Sequence, residues 1–229
     1  MDLAKFVSLL TTRAMFFTRA DKLGDNFEGS LTSATIAAIA TVSEQIISEA
    51  EDKSFPNGTP EQQIRNAFKQ FPKENFVSCW HLNDHESAAM WRLYSLLNQG
   101  LAIQTTYEKL AAALPEEIFL GGVIYADYEN VVIPFNNTLW PVMHKRMSFR
   151  HENEVRVVFP SFGKTPNSDR INEVDYGVQV TVDLNELVES VLVHPESPKW
   201  FLEVVASLVN RYGMKADVQR SRLSEAPIL

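Results

Sequence analysis

Cysteine is nearly absent from this sequence. A single thiol, Cys79, occurs in 229 residues, so no disulfide can form within the chain. That usage fits a reducing compartment. Long apolar runs are missing as well. The N-terminal stretch MDLAKFVSLLTTRAMFF is interrupted by Asp2, Lys5 and Arg13. Its apolar segments fall short of the ~20 residues a bilayer-spanning helix needs, and it has no signal-peptide cleavage pattern. The expectation is a cytoplasmic protein that is not inserted in a membrane. A basic surplus is also lacking. Lys and Arg number 21 against 29 Asp and Glu, for a formal net charge of −8. Sequence-independent nucleic-acid binding needs a basic surface, so this balance argues against it.

Two further absences concern nucleotides. Neither the G-x-G-x-x-G nor the G-x-x-x-x-G-K-S/T spacing occurs in the glycine-bearing segment TRADKLGDNFEGS at 18–30. Taken alone, that segment reads as a turn carrying Asp25 and Glu28. No internal repeat or low-complexity tract is visible.

What remains is ordinary globular composition, 45% apolar and 22% charged. Helices are expected at 3–10, along a face marked by Ile36, Ile39, Val42 and Ile46, and at 60–71. The last has Thr59 as N-cap and Pro60 at its first position. Residues 52–60 read as a loop. Strands are expected at 14–18, 75–80, 100–106, 119–128, 154–159 and 177–182. Cys79, inside FVSCW, is expected to be a buried strand thiol. The stretch 133–145 has little period and reads as a surface loop. The C-terminus reads as strand 189–195, helix 197–213 and strand 214–219, a parallel crossover unit. Ser197 and Gly213 bound that helix. Strands and helices interleave without strict alternation, which implies one α+β domain over 1–229. A mixed sheet flanked by helices is expected.

Two polar constellations stand out. In HLNDHESAAMW (81–91), Asn83 and Glu86 have capping-box spacing. A helix over 84–98 follows, with Met90, Leu93, Tyr94 and Leu97 as its buried stripe. His81 then precedes the helix and shares no helical face with His85, so the pair lacks the geometry of a zinc site. His81 remains a candidate for lining a pocket. In HENEVRVVFP (151–160), period two turns Val155, Val157 and Phe159 toward a core and sets Glu152, Glu154 and Arg156 together on the other face. Lys145, Arg146 and Arg150 lie just upstream. Such a face reads either as a polar ligand site or as a solvated edge laced with weak ion pairs.

These pieces occur together and in order. MFFTRADKLGDNFEGS, FVSCWHLNDHESAAMWRLYS, GLAIQTT and HKRMSFRHENEVR resemble successive motifs of the domain of unknown function 2971 family, found mostly in bacteria and phages. The resemblance covers about residues 3 to 160. It departs at Asn26, where the family usually has Pro, and at the start. Relatives carry a short aromatic-basic strand before the segment matching DLAKFVSLL, and this chain begins at Met1. The family's order is similar, at fold level, to ADP-ribosyltransferase-like domains. That similarity implies an enzyme acting on NAD or another nucleotide, in phage defence or stress. Glu154, with Glu152, would be catalytic. Trp91 or Tyr94 would stack on a ring, and Arg19, Lys145, Arg146 or Arg156 would hold phosphates. Asp25, Glu28 and His81 complete the implied ligand-binding set. No metal is expected. The alternatives are a non-catalytic binding module, and a metal-dependent nuclease built on His81, Asp84, Asp25 or Glu28.

Overall fold

A computed structural model describes residues 1–51, 54–95, 98–162 and 168–227. The fold is α+β. The first helix, α1 (Leu3–Thr12), starts where the Asp2 carboxylate accepts the Lys5 amide, and it ends at Arg13 in the left-handed region. Strand β1 (Ala14–Arg19) follows. Two helices come next, α2 (Ser33–Glu49) and α3 (Pro60–Glu74). Thr59 and Gln62 form a full capping box at α3, with Pro60 in its first turn. Strand β2 (Asn75–His81) then leads to α4 (Ala88–Tyr94).

The centre of the chain supplies β3 (Leu101–Gln104), α5 (Tyr107–Ala113), β4 (Phe119–Gly122), β5 (Ile124–Ala126) and β6 (His144–Arg146). A 3-10 turn at Met147–Glu152 enters β7 (Glu154–Pro160). The remainder is β8 (Ile171–Val174), β9 (Gly177–Thr181), α6 (Leu184–Leu187), β10 (Ser190–Val193), α7 (Lys199–Arg211) and β11 (Asp217–Arg220). The expected C-terminal strand-helix-strand unit is present, with β10 and β11 paired in parallel.

Six strands form one antiparallel sheet in the order β4-β7-β2-β1-β9-β8, and β11-β10-β3 form a smaller mixed one. The larger apolar core gathers Phe6 and Leu10 of α1 with Phe17, Val157 and Val180 of the large sheet. It continues through Val191 and Val193 of the small sheet to Phe201 and Val205 of α7. A second, small cluster lies on the opposite face of the large sheet, formed by Ala20, Val77, Val142 and Val158. The large sheet is therefore covered on both faces around β7, whose seven residues are all buried.

Several expectations need correction. Helix α4 is capped by Ser87, which accepts the Met90 amide, and not by Asn83. Glu86 is unavailable for a capping box because its carboxylate takes the Trp91 indole and the Arg222 amide. The helix is also turned relative to the expected stripe. Trp91 is buried, Leu93 and Tyr94 are exposed, and Leu97 lies outside the described residues. The buried side of α2 is Thr35, Ile39 and Ser43, leaving Val42 and Ile46 exposed. Thr35 accepts the Ile133 amide and Thr32 donates to the Val131 carbonyl, so the backbone of the 131–133 segment selects the face. That segment belongs to the stretch read as a surface loop, in which Ile133, Pro141 and Val142 are buried. The loop at 52–60 is partly outside the described residues.

Candidate functional site

The pattern on β7 does what period two dictates. Val157 and Phe159 enter the larger core, while Glu154, Arg156 and Val158 face the other way. That second face is not open to water. The turn after β1 and the segment 139–152 close over it, so Arg156 is 0% exposed and Glu154 6%. A guanidinium buried so deeply is stable only with its charge and donors matched.

The matching is extensive. Arg156 Nε donates to Glu154 Oε1 at 2.7 Å, and Nη2 reaches Glu28 Oε1 at 2.8 Å. Nη1 donates to the Val142 carbonyl at 2.6 Å. Lys145 Nζ stands 3.1 Å from Glu154 Oε2 and 3.3 Å from Glu28 Oε1, and it also bonds Glu152. Three carboxylates therefore share two cations, and the cluster carries one net negative charge. Tyr94 donates to Glu152 Oε1 at 3.0 Å, and Tyr125 accepts the Glu154 amide at 2.8 Å.

Protonation follows from the arrangement. Burial works to raise the Glu154 pKa, but the charge and hydrogen bond of Arg156, the Cys79 thiol and Lys145 outweigh it. The carboxyl ends below its ordinary range. Burial likewise opposes the Lys145 charge, and the Glu152 hydrogen bond with the Glu154 and Glu28 charges reverses the balance, raising its pKa. Burial and the neighbouring Glu152 push Tyr94 up to about 12, so it remains a donor.

Asp25 and Arg146 form a second tie between the same two segments. Arg146 donates from Nη2 at 2.7 Å and from Nε at 3.1 Å. Its guanidinium lies over the Phe27 ring at 4.3 Å. Lys145 lies over Phe149 at 4.9 Å. The turn that carries Asp25 and Glu28 is thus locked onto the strand that carries Arg156.

The large sheet splits beside this cluster. Strands β1 and β2 share only the pairs Thr18↔Val77 and Arg19↔Phe76. Beyond them, β1 runs on against β9 alone and β2 against β7 alone. Continued pairing would set Phe16 opposite Cys79. Instead Phe16 is 51% exposed and Cys79 is exposed too, although Cys79 is the register partner of fully buried Arg156. The Cys79 thiol's pKa is nonetheless raised strongly, first by burial and then by the Glu154 charge. A side chain that touches water yet is desolvated on most sides lies at the floor of a notch. This corrects the expectation of a sequestered thiol.

Not every expected residue joins the site. Glu28, Tyr94, Lys145, Glu152, Glu154 and Arg156 converge, and Asp25 with Arg146 braces them. His81 stands at the end of β2 as the register partner of Glu154, its ring against the Glu152 carbonyl. Arg19 does not converge, because it turns to Asp21 in a two-point pair. Trp91 is no stacking platform. Its indole bonds Glu86 and its ring packs edge-on against His194 at 5.6 Å. Tyr125 and the floor position of Cys79 were not foreseen. The first depends on where β4 and β5 bring the ring, and the second on the split between β1 and β2. Among the described residues, no three His, Cys, Asp or Glu side chains are placed to hold a metal ion together. No helix among them is long and apolar enough to cross a membrane. No family profile, curated protein or solved structure matches the chain.

Proposed function

We propose that this chain acts on a nucleotide of the NAD type, as an ADP-ribosyl transferase or NAD glycohydrolase. The notch beside Cys79 is the substrate cleft. The observation that carries this reading is the position and charge state of Glu154. It stands at the split of the sheet, on a rigid strand, with its pKa held below the ordinary carboxylate range. Loss of nicotinamide breaks the bond between the ribose anomeric carbon and the ring nitrogen. The electron pair leaves with nicotinamide, and positive charge develops on the sugar. A fixed, ionised carboxylate stabilises that charge as it forms. Water or an acceptor hydroxyl then attacks the sugar, and its proton passes to a carboxylate, for which Glu152 is the neighbouring group. Tyr94 is half-exposed and tethered to Glu152, which sets its ring at the rim for stacking.

The test is incubation of the full chain with NAD, following free nicotinamide by chromatography and the melting temperature in parallel. The expected result is a raised melting temperature and nicotinamide release. Glu154→Gln should keep the thermal shift and lose the release. Absence of both effects at saturating NAD would overturn the reading. One observation favours a second function, a binding module without turnover. Both Glu154 oxygens already have partners, from Arg156 and Lys145. That module would show the NAD shift with no nicotinamide at any time.

A further inference from the structure

The Glu28 carboxylate is only half used. Oε1 takes Arg156 and Lys145, while Oε2 is buried and has no hydrogen-bond partner. A buried acceptor without a donor costs about 1–3 kcal/mol, so an oxygen left in this state is a place for a ligand's donor group. Glu28 also forms part of the wall of a cavity of about 240 Å³. The cavity lies between the turn after β1 and α3, with Asp21, Asp25, Lys69, Pro72 and Lys73 among its other walls. Gly29 sets the spacing. Its φ is +69°, and a Cβ there would lie 2.8 Å from Pro72 Cγ, so the turn approaches α3 as closely as a glycine permits.

The charges around this cavity define its occupant. Asp21 is paired with Arg19, and Asp25 with Arg146. The cluster behind Glu28 carries one net negative charge. Lys69 and Lys73, one helical turn apart and both exposed, add two positive charges. The surroundings are therefore net positive by one, with a buried acceptor at one end and two ammonium groups at the other. The volume is below the ~300–1,000 Å³ of pockets that take drug-sized ligands, so the occupant has only a few heavy atoms.

We propose that this cavity binds a small phosphorylated amine, its ammonium on Glu28 Oε2 and its phosphate between Lys69 and Lys73. A primary ammonium supplies the missing donor and offsets the excess carboxylate. A phosphate dianion matches the paired lysines. The net charge of such a ligand, −1, is opposite to that of its surroundings. This inference does not depend on the NAD reading.

The probe is O-phosphoethanolamine, titrated calorimetrically into the full chain beside ethylamine and inorganic phosphate as the separate halves. The expected result is that the joined molecule binds at least tenfold more tightly than either half. The double substitution Lys69→Ala, Lys73→Ala should weaken it at least tenfold without moving the melting temperature. Glu28→Gln should weaken O-phosphoethanolamine while leaving inorganic phosphate unchanged; if that variant does not fold, the lysine pair decides. Co-sedimentation with phosphatidylethanolamine vesicles, without binding of the soluble probe, would support the same chemistry from a lipid headgroup. The proposal is overturned if neither form binds, if the lysine substitutions leave binding unchanged, or if inorganic phosphate binds as tightly as O-phosphoethanolamine.

Discussion

Arg156→Met is the most discriminating perturbation of this structure. Methionine keeps the length and buried character of the side chain and removes the guanidinium. Four hydrogen bonds go with it, one each to Glu28 and the Val142 carbonyl and two to Glu154. Lys145 is left as the one cation for three buried carboxylates. Removing one partner of a buried pair costs about 3–5 kcal/mol, because the other charge is stranded without water. At roughly 2–4 °C per kcal/mol for a domain of this size, the melting temperature should fall by roughly 6–20 °C. Urea unfolding measured in the same buffer gives the free energy directly. The pair Glu28→Leu, Arg156→Met should cost less than Arg156→Met alone, since it also removes a stranded charge. A loss under about 1 kcal/mol for the single substitution, the scale of a surface ion pair, would refute the claim that this network clamps the turn to the strand.

The remaining predictions use the same geometry. Stability should fall in acid, because the folded Glu154 pKa is below its ordinary value of 4.5. Its contribution is complete above that value and disappears as pH drops through the folded pKa. Lys145, whose pKa is raised from 10.5, contributes fully below that pH and loses its effect only above it. Urea midpoints at pH 7, 5 and 3 should therefore decline less for Glu154→Gln than for wild type, and parallel declines would reject the assignment. Cys79 should react with iodoacetamide at pH 7.5 at least tenfold more slowly than free glutathione, since its raised pKa suppresses the thiolate. Removing the Glu154 charge should accelerate it, whereas a rate equal to glutathione's would show that no desolvated notch surrounds the sulfur. Gly29→Ala should destabilise by about 1–3 kcal/mol, through the left-handed backbone and the contact with Pro72. An unchanged urea midpoint would mean that the turn is free to shift.

The candidate site was legible to the extent that it follows from alternation along one strand. Glu154 and Arg156 share a face whatever the rest of the chain does, and Glu152 and Lys145 lie close enough in sequence to join them. The Thr59 cap with Pro60 in the first turn was readable for the same local reason. Asn83 and Ser87 show where local reading stops. Both precede the helix at plausible cap positions, and the choice went to Ser87 because Glu86 was drawn to Trp91 and Arg222, the latter 136 residues away. In α2 a regular stripe of isoleucine and valine lost to Thr35, because the 131–133 backbone needed hydrogen bonds more than the helix needed to bury Val42 and Ile46.

By itself the sequence determined the α+β class, the C-terminal crossover unit and the grouping of two acids with a guanidinium on one face of β7. Those features depend on residue periods of two and 3.6 and on caps within a few positions. Tertiary structure alone decided that this face is buried rather than wet, that Glu28 comes from 128 residues away to complete it, and that the sheet parts beside Cys79. Whether a polar strand face meets water or a second layer depends on which distant segment closes over it. That closure is set by long-range pairing and packing, for which no local pattern carries the information.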